Sequence, residues 1–415
     1  MRVHVVGAGL AGLACALDLL AAGQAVTVWE ATPKAGGRCR SYHDATLDRR
    51  IDNGNHLILS GNRAVLSHAD RLGAAGLLRT LPEAAFPFAD LATGAAFTVR
   101  VPASPLGALR AGARPPGAGA WEAARGVAGL LLAGRGATVA EAVPGRGAMW
   151  RAFWEPMATA VLNMPPEAGS AALLRGALLR SFLRGAAACR PVLAPEGLGE
   201  ALVEPAVRAL LDGGAELRLR APVAGLALGE GRLAALLGPE GRVALGPRDA
   251  VVLALPAPAL APLLGRPAPA AGPSILNAHF RVAPALAEAA PPLLGLLGGA
   301  AQWLFRRGDV LSVTVSAAES SPVAGLPREA ALDRLWSEAA RALRLGDARP
   351  LAARLLRERG ATPDQSPEGA RARPPARPGP ANLVLAGDGV RGPLPATLEA
   401  AVLSGRRAAR LALGR

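Results

Sequence analysis

Arg2-Val3-His4-Val5-Val6-Gly7-Ala8-Gly9-Leu10-Ala11-Gly12 is the stretch that decides the fold. Five residues of strand character run directly into a glycine-rich turn. Leu13 to Ala22 then reads as a helix stopped at Gly23, and Ala25 to Trp29 as a second strand ending in Glu30. This is the sequence form of a dinucleotide-binding βαβ unit. Gly7 permits the tight strand-to-helix turn, Gly9 lets a pyrophosphate approach the backbone, and Gly12 allows helix and strand to pack closely. Leu10 and Ala11 open a helix whose unpaired N–H groups and positive dipole end face the phosphates. Glu30 ends the second strand, where a carboxylate accepts ribose hydroxyls. The glycines alone carry little weight. With 50 Gly in 415 residues, chance supplies a GxGxxG pattern roughly 0.7 times. A second match does occur at Gly387-Asp388-Gly389-Val390-Arg391-Gly392. The context of strand, helix, strand and acid distinguishes the first.

The length allows two domains and a large core. Although 51% of residues are hydrophobic, no uncharged apolar run reaches the roughly 18 residues that a membrane span needs. Cys15, Cys39 and Cys189 are scattered without CxxC spacing, which predicts a reduced, cytoplasmic setting and no metal site. The net charge of +14 is carried almost wholly by arginine, since Lys34 is the only lysine. In a chain dominated by Ala, Gly, Arg and Pro, this charge reads first as compositional bias and second as affinity for anionic surfaces. Aromatics at 3% and the lack of a stacking motif speak against nucleic-acid binding.

Further along, Gly36-Gly37-Arg38 forms a turn-rich loop behind the second strand, with Arg38 expected beside the phosphates. Leu47 to Ile51 alternates like a strand and ends in Asp52-Asn53-Gly54-Asn55-His56, a strong turn signal. Asn62 is placed to cap a helix running to Leu72. Residues 102–147 are rich in Pro, Gly, Arg and Ala, with short helices at Ala120 to Ala133 and Thr138 to Val143. They read equally as a membrane-facing flap and as a surface insertion. Single helices are expected over Met149–Leu162, Ala171–Arg184 and Gly197–Leu211. Short strands are expected between Leu217 and Leu255, and sheet strands at Phe86–Leu91, Ala96–Val101, Ser274–Val282, Gln302–Phe305 and Val310–Ser316. Thr362 to Pro380 reads as a Pro- and Arg-rich connector. Asn382 to Ala386 then forms a last buried strand, followed by Gly387-Asp388 and a closing helix from Thr397, with Pro395 near its start. The order predicts an α/β protein: a discontinuous cofactor domain of residues 1–75, 190–265 and 376–415, interrupted by an α+β substrate domain of residues 76–189 and 266–375.

Val5 to Gly12, Glu30, Gly36-Gly37-Arg38 and Gly387-Asp388 with Leu394-Pro395-Ala396-Thr397-Leu398-Glu399 together resemble the flavin amine oxidase and phytoene desaturase superfamily. More narrowly, the chain resembles the hydroxysqualene dehydroxylases. That narrower likeness rests on Asp52 to His56, Trp154-Glu155-Pro156, Leu162 to Pro166, Gln302 to Phe305 and the C-terminal block. Two positions depart from the family pattern. Gly389 stands where an aromatic residue usually follows Gly-Asp, and Asn55 where glutamine is usual.

The resemblance implies a Rossmann-like, GR2-type FAD-binding domain with an inserted substrate domain. FAD would be held by Gly7, Gly9, Leu10, Ala11, Gly12, Glu30, Gly37, Arg38, Val223, Gly387, Asp388, Leu394, Pro395, Ala396 and Thr397. It further implies reductive removal of an allylic hydroxyl from an isoprenoid in squalene and hopanoid synthesis, with His56 and Glu155 as candidate proton donors. The competing implications are a phytoene-type desaturase and an amine oxidase. So insoluble a substrate predicts peripheral attachment to the inner face of the cytoplasmic membrane.

Overall fold

The computed structural model describes residues 1–265 and 269–414, without the side chains of Pro105, Leu109 and Ala111. The expected substrate segment starting at 266 therefore begins outside the described residues, as does the final residue, 415. The opening strand β1 (Arg2–Val6), helix α1 (Leu10–Ala21) and strand β2 (Ala25–Trp29) form as the sequence predicts. β1 pairs in parallel with β2 on one side and with Ala250–Leu253 on the other. Glu216–Arg218 adds beyond β2, and Leu383–Leu385 beyond Ala250–Leu253, both in parallel. Five short strands from widely separated stretches thus make one parallel sheet. Its central strands are buried almost throughout, Val3–Val6 and Ala250–Leu253, because both faces are covered.

On one face lie α1 and the closing helix Leu398–Ala412, whose Val402 joins Val3, Val5, Leu13 and Val28 in a single core. The two helices touch backbone to backbone, since a Cβ on Gly405 would stand 2.1 Å from the Ala11 carbonyl oxygen. On the other face lies an antiparallel meander of Gly225–Gly229, Arg232–Gly238 and Gly241–Ala244. It packs Leu233 and Leu236 against Val6, Val251 and Leu253.

A second sheet has seven strands in the order Ala352–Glu358, Ile275–Arg281, Val310–Val315, Trp303–Arg307, Leu293–Leu297, Ala85–Asp90 and Ala96–Arg100. Two of these, Leu293–Leu297 and Ala352–Glu358, were not anticipated. One face buries Leu276, Ala278, Phe280 and Val313 against Leu335 and Trp336 of helix Arg328–Leu343. Strand alternation sends Asn277 and His279 to the opposite face.

Three expected helices are interrupted. Met149–Leu162 opens with a π-helical turn, Trp150–Trp154, before the α-helix Glu155–Leu162. Gly197–Leu211 behaves in the same way, with a π turn at Gly199–Val203 and an α-helix at Glu204–Asp212. Each α segment begins Glu-Pro, at Pro156 and Pro205. Proline donates no N–H, and its ring crowds the carbonyl four residues earlier, so the preceding turn widens. The third, Ala171–Arg184, stops at Leu178 and resumes as a 3₁₀ turn, Phe182–Arg184. There the Ser181 hydroxyl donates to the Ala177 carbonyl and the Arg180 carbonyl packs against Gly61. Asn62 occupies its expected place, but its side chain accepts from Leu59 N–H rather than capping the helix. The expected connector at 362–380 is instead anchored, with helix Pro367–Ala372 capped by Ser366 and with Gln365 and Arg373 fully buried.

Two buried histidines make the fold acid-sensitive. Burial holds His68 and His279 at about 4, against an ordinary 6.5. His68 bonds the Leu202 carbonyl, with Arg71 and Arg406 nearby. His279 bonds the Ser312 hydroxyl beside Arg307, Asp52 and Asp44. Each accepts a proton more readily unfolded than folded, so its contribution is complete above pH 6.5 and is lost as pH falls toward 4. The loss is on the order of 3 kcal/mol per histidine. Thermal unfolding followed from about pH 7.5 down to 4.5 should show a steep fall in Tm, and His279→Gln should flatten it.

Candidate active site

At the end of β1 the chain turns on Gly7, whose φ of +104° lies in the region that favours glycine. Gly12 has no room for a side chain, because a Cβ there would stand 1.9 Å from the Gly7 carbonyl oxygen. Gly9 is the opposite case: nothing lies within 4 Å of where its Cβ would be. It heads α1 with no side-chain cap, leaving the first amides of the helix turned to open space. Glu30 is buried at the end of β2. One of its oxygens accepts Ala8 N–H at 2.9 Å, and the other accepts Thr32 N–H at 2.9 Å and the Thr32 hydroxyl at 2.8 Å. The carboxylate thereby locks the glycine turn to β2.

The loop after β2 returns to this turn. Gly36 N–H donates to the Ala8 carbonyl, and a Cβ on Gly37 would lie 3.4 Å from Gly9 Cα. Arg38 borders the same space as Gly9 and Gly37, and its side chain is held in place. Its guanidinium pairs with Asp388 at 2.7 Å and donates to the Ala361 carbonyl. Burial raises the Asp388 carboxyl, but Arg38 and Arg373 outweigh it and hold the group below its usual range.

Near the closing helix, Ala396 N–H donates to the Gln365 side chain at 2.7 Å, and Arg373 donates to the Leu394 carbonyl at 2.9 Å. Thr397 caps the helix through Ala400 N–H. The Ala396 amide is therefore taken, while the first-turn amides of Leu398 and Glu399 have no acceptor within the helix. A Cβ on Gly389 would lie 3.3 Å from the Ala257 Cβ, so helix Ala257–Leu264 takes the place beside it. Gln365 and Arg373, hidden in a segment of linker composition, are residues that sequence reasoning missed.

The cradle borders one cavity of about 1120 Å³. Gly7, Gly9, Leu10, Ala11, Glu30, Gly37, Arg38, Val223, Gly387, Asp388 and Leu394 to Thr397 line it. Gly12 stands behind, in the packing. The cavity continues into an aromatic chamber that holds five of the seven phenylalanines: Phe86, Phe88, Phe153, Phe182 and Phe305. Trp303 joins them, 5.7 Å from Phe88 and 6.5 Å from Phe86 between ring centres. Gly295 makes this possible, because a Cβ there would meet the Phe88 ring at 2.3 Å.

His56 lines the cavity, facing the Arg38 carbonyl. Burial lowers its pKa and outweighs the raising effect of Asp52, while the Arg38 charge lowers it further and the Arg38 carbonyl and Asp388 raise it slightly. The resting imidazole is therefore neutral. Glu155 is a correction. It is exposed and lies outside the cavity lining, because the π turn before it rotates Phe153, Pro156 and Met157 inward instead. Neither Lys34 nor Tyr42 is among the described lining residues.

The open space at Gly9, the uncapped start of α1, and the buried carboxylates of Glu30 and Asp388 fit an adenine dinucleotide with a polyol arm. Gly9→Val should fold like the parent, judged by far-UV circular dichroism, and purify with little or no bound FAD. Gly12→Val should fail to give soluble protein, since its side chain meets backbone.

Comparison with known proteins agrees with this geometry. Residues 10–413 match the family described as flavin containing amine oxidoreductase. The chain is 39% identical over 416 residues to hydroxysqualene dehydroxylase of Sinorhizobium fredii, covering 99% of this chain and 98% of that protein. It is 36% identical over 413 residues to hydroxysqualene dehydroxylase of Zymomonas mobilis, with the same coverage. A putrescine oxidase structure superposes with a TM-score of 0.72 at 16% identity over the whole of both chains.

Proposed function

Because the chain belongs to the flavin-containing amine oxidoreductases, and within them to the hydroxysqualene dehydroxylases, we propose that it replaces the hydroxyl of hydroxysqualene by hydrogen, giving squalene. Its cofactor is FAD. The observation that carries the reading is the single cavity joining a dinucleotide cradle to an aromatic, apolar chamber. Bound in its reduced form, FAD supplies a hydride.

The chain's own residues supply the rest. Gly7, Gly9, the start of α1 and Glu30 would hold the adenosine and pyrophosphate. Asp388 and the first turn of the closing helix would hold the other end. The phenylalanines and Trp303 would enfold the isoprenoid and exclude water. When the allylic C–O bond breaks, its electron pair leaves with oxygen, and a proton joins that oxygen to form water. The remaining allylic cation is delocalised, and a new C–H bond quenches it. His56 is the proton donor we propose. Because its pKa is lowered, the protonated form grows as pH falls, and a His56-dependent rate should grow with it.

Anaerobic incubation with hydroxysqualene and a flavin reductant should yield squalene, while squalene or phytoene under oxidising conditions should give no desaturated product. His56→Ala should lower the dehydroxylation rate by about 100-fold or more, with the bound-flavin absorbance retained. Full activity would remove His56 from the chemistry.

We also propose peripheral membrane attachment through the helical insert. Among the described residues, no helix is long and apolar enough to cross a membrane. The insert nevertheless exposes Leu106 at 78%, Trp121 at 74% and Leu132 at 86%, with Arg110, Arg125 and Arg135 exposed within four residues of them in the chain. Arg114 does not share that role, since it donates to the Ala108 and Ala118 carbonyls. Helix Ala120–Leu132 seats Gly126 directly on Trp154, the neighbour of cavity-lining Phe153, so the patch and the chamber wall are back to back. Trp121→Ser with Leu132→Ser should weaken sedimentation with anionic liposomes about tenfold or more, with FAD content unchanged.

A further inference from the structure

A polar patch in the chamber wall is not explained by the cofactor cradle. Asn277 and Thr314 sit opposite each other on neighbouring strands of the seven-stranded sheet, Ile275–Arg281 and Val310–Val315. Both are buried, and both line the cavity near Trp303 and Phe305. The Thr314 hydroxyl donates to Asn277 Oδ1 at 2.9 Å and accepts from Asn55 Nδ2 at 3.0 Å. Asn55 Nδ2 also reaches Asn277 Oδ1 at 3.4 Å. Asn277 Nδ2 donates to the Asn53 carbonyl at 3.4 Å.

Counting donors and acceptors shows what remains. Asn277 Oδ1 is filled by two donors, and both Asn55 N–H groups are used. Asn277 Nδ2 keeps one unspent N–H, and Asn55 Oδ1 has no described donor. A donor and an acceptor thus stand side by side at the edge of an aromatic wall. A hydroxyl needs one of each, because it both donates and accepts. Burying such groups without a partner costs free energy, so a cavity that keeps them open favours a ligand that completes them.

The patch also lies beside the proposed proton donor. A Cβ on Gly54 would stand 3.6 Å from His56 Nε2 and 3.7 Å from Asn277 Nδ2. The absence of a side chain at Gly54 keeps the space between them clear.

We propose that Asn55, Asn277 and Thr314 form a hydroxyl-recognition site. Asn277 Nδ2 donates a hydrogen bond to the substrate oxygen, Asn55 Oδ1 accepts one from its O–H, and Thr314 holds both amides in that orientation. The site selects an alcohol over the corresponding hydrocarbon and aims the C–O bond at His56. This rests on the dehydroxylase reading above. Asn55 and Asn277 are specificity residues by direct contact, and Thr314 is a positioning residue.

The test measures binding of hydroxysqualene and of squalene to the FAD-loaded enzyme by ligand-induced change in flavin absorbance, together with turnover. The parent should bind the alcohol more tightly and convert it. Asn277→Leu, Thr314→Val and Asn55→Ala should each lower alcohol affinity about tenfold to a hundredfold and leave squalene affinity unchanged. Thr314→Ser should restore the preference. If Asn277→Leu fails to fold, Thr314→Val and Asn55→Ala decide the matter, each checked for FAD content and Tm. The proposal is overturned if the parent converts hydroxysqualene yet these variants keep its preference, or if both ligands weaken together. If the parent neither prefers nor converts the alcohol, the dehydroxylase reading itself fails.

Discussion

The ion pair between Arg38 and Asp388 holds the site together. It joins residues 350 positions apart, one from the loop behind β2 and one from the end of the last buried strand. The shared sheet and the packing of α1 on the closing helix bring the glycine turn and the closing block together, and the pair ties their loops across the cavity. A half-buried guanidinium left without its carboxylate would be strongly unfavourable, as would the converse, so the pair disciplines the geometry as much as it stabilises it. The anchored segment of Gln365 and Arg373 extends the same clamp by holding Leu394 and Ala396 in place.

The substrate side is shaped by two quieter constraints. One is the Glu-Pro pair that opens a π turn ahead of an α-helix, once in the cofactor sheet's flank and once in the chamber wall. At the chamber this extra residue sets which side chains face inward, giving Phe153, Pro156 and Met157 to the cavity and Glu155 to solvent. The other is the choice of small residues beneath aromatic ones, as with Gly295 under Phe88 and Gly126 under Trp154. In a chain with so few aromatics, gathering five phenylalanines and Trp303 around one cavity makes a chamber suited to a long hydrocarbon. The polar trio of Asn55, Asn277 and Thr314 then offers a hydroxyl partners within that wall.

Local signals in the chain were enough for the opening βαβ unit, the closing strand and helix, and most strands of both sheets. Turn chemistry and apolar periodicity act within ten or so residues, so they can be read directly. The cofactor cradle was legible for the same reason, since Gly7, Gly9, Gly12 and Glu30 each have a local mechanical duty. Helix continuity across Pro156 and Pro205 was misread, because periodicity is blind to a widened turn. Composition misled at Gln365 and Arg373, where a Pro- and Arg-rich stretch looks like linker until its partners are seen. Glu155 was misplaced because a motif says which residue is present, not which way it faces.

What the sequence by itself determined is a dinucleotide-binding α/β protein and, through its motifs, the flavoenzyme family. Those conclusions need only the order of residues along short stretches of backbone. Which groups meet was decided by tertiary structure alone. Arg38 is spent on Asp388, His56 is neutral because it is enclosed, and Asn277 reaches Asn55 across 222 positions of chain. Such contacts depend on strand register and on how two sheets enclose one cavity. Burial then sets the charge state and hydrogen-bond demand of each group, and neither quantity exists until the chain is folded.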